Sequence, residues 1–186
     1  MNPIPEYIGE LPNVSGHEAE VARVVESGRA KALFAGHGGI DFRRVRAACA
    51  IALHQHQPLI PAGGDDLRTA ALISNLQYMM EHQDIGDNHN APVVVWCSKR
   101  MGEFIPELVG EGKSPRCMLE YSGTLLHGLR KMGEHQVIDA LKGITCNPDY
   151  NWAVEWLGVP WGHAVAPSTP IPDLKVHIQA WQHHFA

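Results

Sequence analysis

Three short apolar runs, each ending in polar residues and each followed by helical periodicity, most restrict what this chain can fold into. They are "AACAIALHQH" at 47–56, "PRCMLEYSG" at 115–123 and "NWAVEW" at 151–156. Strand, helices, strand, helices, strand, helix is the order of βα units and predicts an α/β fold around a parallel sheet. In the first run, alternation sets Ala48, Ala50, Ala52, His54 and His56 on one face, with Cys49, Ile51 and Leu53 on the other. Neither face turns polar before the end, which predicts a strand covered on both sides.

The segments between these runs carry helix and turn signals. "SGHEAEVARVVESG" opens with a capping-box pattern between Ser15 and Glu18, and Val21, Val24 and Val25 mark a helical face that Gly28 closes. "AGHGGID" at 35–41 is a turn cluster without the glycine and lysine spacing of a phosphate loop. "PLIPAGGDD" reads as a loop, and "DLRTAALISNLQYMMEH" as a helix N-capped by Asp65 or Asp66, with Leu72, Leu76, Met79 and Met80 at core spacing. A second helix is expected across Met101, Phe104, Ile105, Leu108 and Val109, with Pro106 kinking or breaking it. "GTLLHGLRKMG" and "HQVIDALKG" are short helices closed by glycine. The last helix, "DLKVHIQAWQHHFA", places Leu174, Ile178, Trp181 and Phe185 on one face and runs to the final residue without a C-cap. This divides the chain into an N-terminal helical extension, 1–44, and a βα region, 45–186.

With 45% hydrophobic and 19% charged residues, the 186-residue chain is globular material rather than disordered, and its length fits one domain or part of one. A net charge of −5 gives no hint of nucleic-acid or anionic-membrane binding. No stretch approaches the roughly 20 apolar residues of a spanning helix. The first residues lack a basic segment followed by an apolar one, so no secretory leader is expected. Cys49, Cys97, Cys117 and Cys146 form no CxxC pair and predict reduced, buried thiols in a cytoplasmic protein.

Among twelve histidines, His17, His37, His89 and His135 sit singly among polar residues and read as solvated surface. The pair His54 and His56 differs. In βα architectures functional residues gather at the carboxyl ends of strands, where these two imidazoles emerge together before Gln57 and Pro58. There they can donate hydrogen bonds to a polyhydroxylated ligand or coordinate a metal. Partly buried histidines bonded to backbone groups are the plainer alternative. Glu155, inside the apolar "WAVEWLGV", must be paired, functional, or on a solvent-facing edge. Glu120 in "MLEYSG" raises the same question, and Trp156 and Trp161 offer aromatic faces of the kind sugar rings stack on, or simply core packing.

At this point the motifs resemble a known family. "LHQHQPL" at 53–59 looks like the first signature of family 57 glycoside hydrolases, a strand-end H-x-H-Q-P. "LEYSGTLLHGL" resembles the strand-turn-helix downstream, and "VEWLGVPWGHAVAPSTPIPDLKVHIQAW" resembles the second signature, although "NWAVEW" stands where Gly-x-x-Glu is usual. The resemblance implies the first three strands of an irregular seven-stranded (β/α) barrel and a retaining reaction on α-glucans or related oligosaccharides. It implies that His54, His56 and Gln57 hold sugar at the cleavage subsite, that Glu155 and Trp161 line the same pocket, and that His163 lies in the loop over it. It implies no cofactor and no resident metal. Retaining hydrolysis needs two carboxyl groups about 5–5.5 Å apart. By the resemblance these sit on later strands, so the nucleophile and acid–base are expected beyond residue 186. Three barrel strands alone leave open ladder edges, which predicts a marginal or partner-dependent polypeptide, with the remainder of the barrel as a candidate partner.

Two other readings stay open. HxH at a strand end also begins zinc sites in deacetylase- and mannosidase-like barrels, but a zinc site needs three or four ligands. Here only His163 offers itself as a further ligand and no strand-end aspartate follows. A non-catalytic carbohydrate-binding remnant is the other.

Overall fold

The computed structural model describes residues 4–29 and 41–186, apart from the side chains of residues 27–29 and 42. It is a mixed α/β structure. Two short strands, β1 (Tyr7–Ile8) and β2 (Leu11–Pro12), form an antiparallel hairpin ahead of helix α1 (Glu18–Arg29). Strand β3 (Ala52–Gln55) is followed by a second antiparallel hairpin, β4 (Leu59–Gly63) with β5 (Ala71–Ser74), and by helices α2 (Asn75–Glu81) and α3 (Ala91–Gly110). Strand β6 (Cys117–Tyr121) leads to α4 (Gly123–Lys131) and α5 (His135–Cys146). Strand β7 (Val154–Trp156) then leads through a long loop to α6 (Ile171–Phe185).

Strands β3, β6 and β7 make one parallel sheet in that order, with Ala52 opposite Met118, His54 opposite Glu120, and Met118 opposite Glu155. The three apolar runs are therefore its three strands, as their pattern predicts. Leu53, Leu119, Tyr121, Val154 and Trp156 point to one side, into a core shared with Leu125, Leu129, Val137, Leu141 and Ile144. Burying each large side chain there contributes about 1.5–3 kcal/mol. Tyr121 adds a buried hydrogen bond, donating to the Ser98 carbonyl at 2.8 Å. Helix α3 lies against α5 so closely that a Cβ on Gly102 would come within 2.6 Å of the Ala140 backbone.

The opposite side of the sheet carries Ala52, His54, Met118, Glu120 and Glu155, of which Ala52, His54 and Glu155 are exposed. Here the expectation of a strand covered on both faces fails. Regular pairing begins only at Ala52, and Ile51 is 65% exposed. Helices occupy one side of this sheet.

Residues 58–82 also fold differently from their sequence pattern. The expected loop and long helix are a hairpin followed by a short helix. The Asp66 carboxylate accepts from the Arg68 N–H and side chain, closing a turn instead of capping a helix. The N-cap is Ser74, whose Oγ accepts from the Leu76 N–H, and Leu72 is 66% exposed on β5 instead of core. In a stretch apolar at consecutive positions, "AALIS" fits strand and helix periods equally, and pairing with "LIPAG" decides. Pro106, by contrast, sits inside α3 without ending it.

At the amino end, Glu18 does reach back, but to the Gly16 N–H, and α1 continues through Gly28. Residues 4–29 hold a hairpin as well as a helix and join the rest through Arg130, which bonds both carboxylate oxygens of Glu6. Val24 and Val25 remain exposed, as do Ile178 and Phe185 on the face assigned to α6; Ala180 and His183 are buried instead. The turn expected at 35–41 and His37 lie outside the described residues, apart from Asp41. All four cysteines are free, yet Cys49 and Cys146 are exposed rather than buried. No helix among the described residues is long and apolar enough to cross a membrane.

Candidate functional site at the carboxyl ends of the strands

Register builds the first half of the site. Because β3 and β6 run parallel with His54 opposite Glu120, the two side chains leave the same face at the same height, and His54 Nδ1 lies 3.0 Å from Glu120 Oε1. The ladder continues one step further, the Ser122 N–H donating to the Gln55 carbonyl at 3.1 Å. A period of two then brings His56 beside Ser122, with 2.8 Å between His56 Nδ1 and Ser122 Oγ. Ser122 is buried and is also the N-cap of α4, its Oγ accepting from the Leu125 N–H. One hydroxyl thus ties the helix start to the imidazole.

The second half comes from the loop after β7. His163 is the one non-glycine residue among those described with a positive φ, +57°. The two residues before it are held firmly. The Trp161 N–H donates to the His177 carbonyl, the Gly162 N–H to His177 Nδ1 at 3.1 Å, and the Thr124 N–H to the Trp161 carbonyl. Trp161 Nε1 donates to His184 Nδ1 at 3.2 Å. Its indole lies where Gly123 has no side chain; a Cβ there would stand 2.1 Å from the ring. So anchored, the His163 ring stacks on His56 at 4.1 Å between centroids and 21° between planes, and lies 4.8 Å from the His54 ring.

His54 is half-exposed (49%) and Glu120 less so (24%), so the pair faces solvent with partial shielding. The His56 pKa lies below the usual histidine value. Burial is the main cause, the nearby His163 and His54 add to it, and Glu120 opposes them. His56 is accordingly neutral at pH 7, able to accept on one ring nitrogen and donate from the other. One potential ligand atom each from His54, Glu120 and His163 lie within 4.8 Å of one another. The cluster can hold a cation, or present alternating donors and acceptors to a polyol.

The other expected site residues sit apart from this cluster. Gln57 accepts from Asn75 Nδ2 at 2.9 Å, which fixes it beside α2. Glu155 shares the face but pairs with Met118, two residues short of Glu120. It is exposed, without a side-chain hydrogen bond among the described residues, and lines an open cavity of about 640 Å³ with Cys49, Ile51, Arg116 and Met118 at the amino-terminal half of the sheet. The indole of Trp161 is turned between α4 and α6, toward Gly123 and His184. Trp156 points to the core side, edge-on to Tyr121 with 5.6 Å between rings.

Four contributing residues carry no assigned role in the sequence pattern alone. Glu120 takes its role from strand register, since parallel pairing of the two strand ends sets it against His54. Ser122 was readable as an N-cap before "GTLLHGL". His177 and His184 support the loop from α6, seven residues apart and hence on one helical face.

No protein-family model matches the chain, and no curated protein or solved structure matches it.

Proposed function

We propose that this chain forms the sugar-binding subsite of a retaining glycoside hydrolase or transglycosidase of the family 57 type, acting on an α-glucan or related oligosaccharide. The convergence of His54, His56 and His163 with Glu120 at the carboxyl ends of parallel strands carries this reading. A pyranose presents vicinal hydroxyls that both donate and accept. A carboxylate bonded to one imidazole, beside a neutral second imidazole, matches that pattern on an otherwise uncovered face.

The bond-breaking step is assigned elsewhere. Retention requires two carboxyl groups about 5–5.5 Å apart across the scissile bond. Glu120 is engaged with His54, and Glu155 stands at the opposite half of the sheet. On this proposal the nucleophile and the acid–base lie outside these 186 residues. Further strands of a parallel barrel would pair with the open edges of β3 and β7, making the uncovered face its interior. Free thiols, two of them exposed, support a cytoplasmic setting.

Titration calorimetry with maltooligosaccharides, run beside a reducing-sugar assay, tests the proposal. Binding without turnover is expected, and His54→Ala should abolish the binding. Absence of binding sinks the subsite, and turnover by this chain alone overturns the assignment of the chemistry to other residues.

A further inference from the structure

The same mouth has a property that a sugar subsite does not require. We propose that His54, Glu120 and His163 form a binding site for a single zinc-type divalent ion. The three come from separate elements: β3, the strand end of β6, and the loop after β7. One ligand atom from each falls within 4.8 Å of the others, and the His54–Glu120 pair is already at 3.0 Å. Ligands on a tetrahedral zinc at about 2.0–2.1 Å lie roughly 3.3 Å apart, so rotamer-scale adjustment closes the shell.

The donor set selects the ion. Two imidazoles and one carboxylate suit zinc and its first-row neighbours, whereas calcium and magnesium favour shells built of oxygen. Three protein ligands leave a position open, the arrangement of reactive rather than purely structural zinc. His54 and Glu120 leave the sheet on its uncovered side. His56 is the wall of the site: its Nδ1 is engaged by Ser122 and its ring backs His163.

The backbone supplies a second, independent observation. His163 holds a left-handed conformation at φ +57°. Histidine enters that region more often than most side chains, yet relative to glycine it still costs up to about 1 kcal/mol. Glycine at 163 would relieve the cost, and glycine already stands next to it at 162. The loop instead keeps an imidazole there, pinned through Trp161 and Gly162 to His177 and aimed at His54. Ion binding so defined stands whether or not the ligand above it is a carbohydrate.

The full chain, stripped with a chelator and dialysed, is titrated with zinc by calorimetry and with cobalt(II) by visible absorption. One equivalent should bind, with cobalt bands of a four- or five-coordinate site. Removing a ligand by Glu120→Gln or His163→Ala should weaken the affinity about tenfold or more, while His89→Ala, on an exposed turn, leaves it unchanged. Circular dichroism checks that the variants are folded. Should a variant unfold, histidine ring 15N shifts in the unaltered chain decide: zinc must move those of His54 and His163. No stoichiometric ion, equal uptake by the variants, or unmoved ring shifts overturns the proposal. Zinc binding with no maltooligosaccharide binding sinks only the carbohydrate reading, and the converse result sinks only the ion.

Discussion

The histidines at the open mouth of the sheet and those on α6 are the same residue type put to opposite uses. His54, His56 and His163 are partly exposed, bonded to side-chain oxygens or stacked on one another, and gathered on the face that the described helices leave bare. His183 and His184 are turned inward. His183 is 4% exposed, bonded to the Gln179 carbonyl and accepting from the His17 N–H; His184 takes the indole N–H of Trp161. Trp161 joins the two sets, with its ring on the buried one and its chain leading to His163 two residues later. From α6, His184 holds the Trp161 indole and His177 the Gly162 N–H, and together they fix the loop that carries His163 to the open set. Burial and partner, not residue type, separate support from site.

The largest test of this division is at the joint. Gly123→Val should cost about 3 kcal/mol or more in urea unfolding, since the new side chain occupies the place of the Trp161 ring. An unchanged midpoint would mean that the indole is not wedged there.

Acid should separate the two sets next. Burial, chiefly, pushes the His184 pKa down to about 4, with Glu6 opposing and His127, Arg130 and Lys142 assisting. The unfolded chain takes up that proton near pH 6.5, the folded chain only near 4. Between those values the unfolded state holds more protons, so stability falls as pH falls, by about 3 kcal/mol from this group. His127, lowered mainly by burial, acts in the same direction. His184→Leu should flatten the slope of unfolding free energy against pH between 4 and 6.5; a slope left as steep would place the titrating group elsewhere.

Ser122→Ala should have an intermediate effect, about 1–2 kcal/mol, from the lost N-cap of α4. It should also release His56, visible as a change in that ring's titration by NMR. A stable variant with an unaltered His56 would show the hydroxyl to be idle. The smallest effect on stability is expected at the mouth itself. His54→Ala should change the unfolding free energy by no more than about 0.5 kcal/mol, because the half-exposed contact with Glu120 that it removes competes with water. A larger loss would make His54 a structural residue like those on α6.

Much of the sheet was legible in the sequence. The three strand runs, helices α3, α4, α5 and α6, and the emergence of His54 and His56 on one face follow from periodicities of two and 3.6. The β4–β5 hairpin was not, because "LIPAG" and "AALIS" become strands only through each other. Nor was the bare face, since an alanine-rich run with small side chains looks equally apolar whether or not anything covers it. Glu120 illustrates the same limit inside the site: its partner lies 66 residues away, and only strand register reveals it. Glu155 shows it too. Its apolar neighbours leave a paired, a functional and a solvent-facing edge carboxylate all open, and only the pairing of β7 at the sheet edge shows the residue to face solvent.

Under the proposed readings of the mouth, the left-handed backbone at His163 sets thermal robustness and ligand capture against each other at one position. Exchanging that imidazole for glycine would ease the chain there by about 1 kcal/mol while removing one of the four side chains that converge at the mouth. A screen for heat resistance alone would therefore be expected to discard this residue early, and a screen for ligand uptake to restore it.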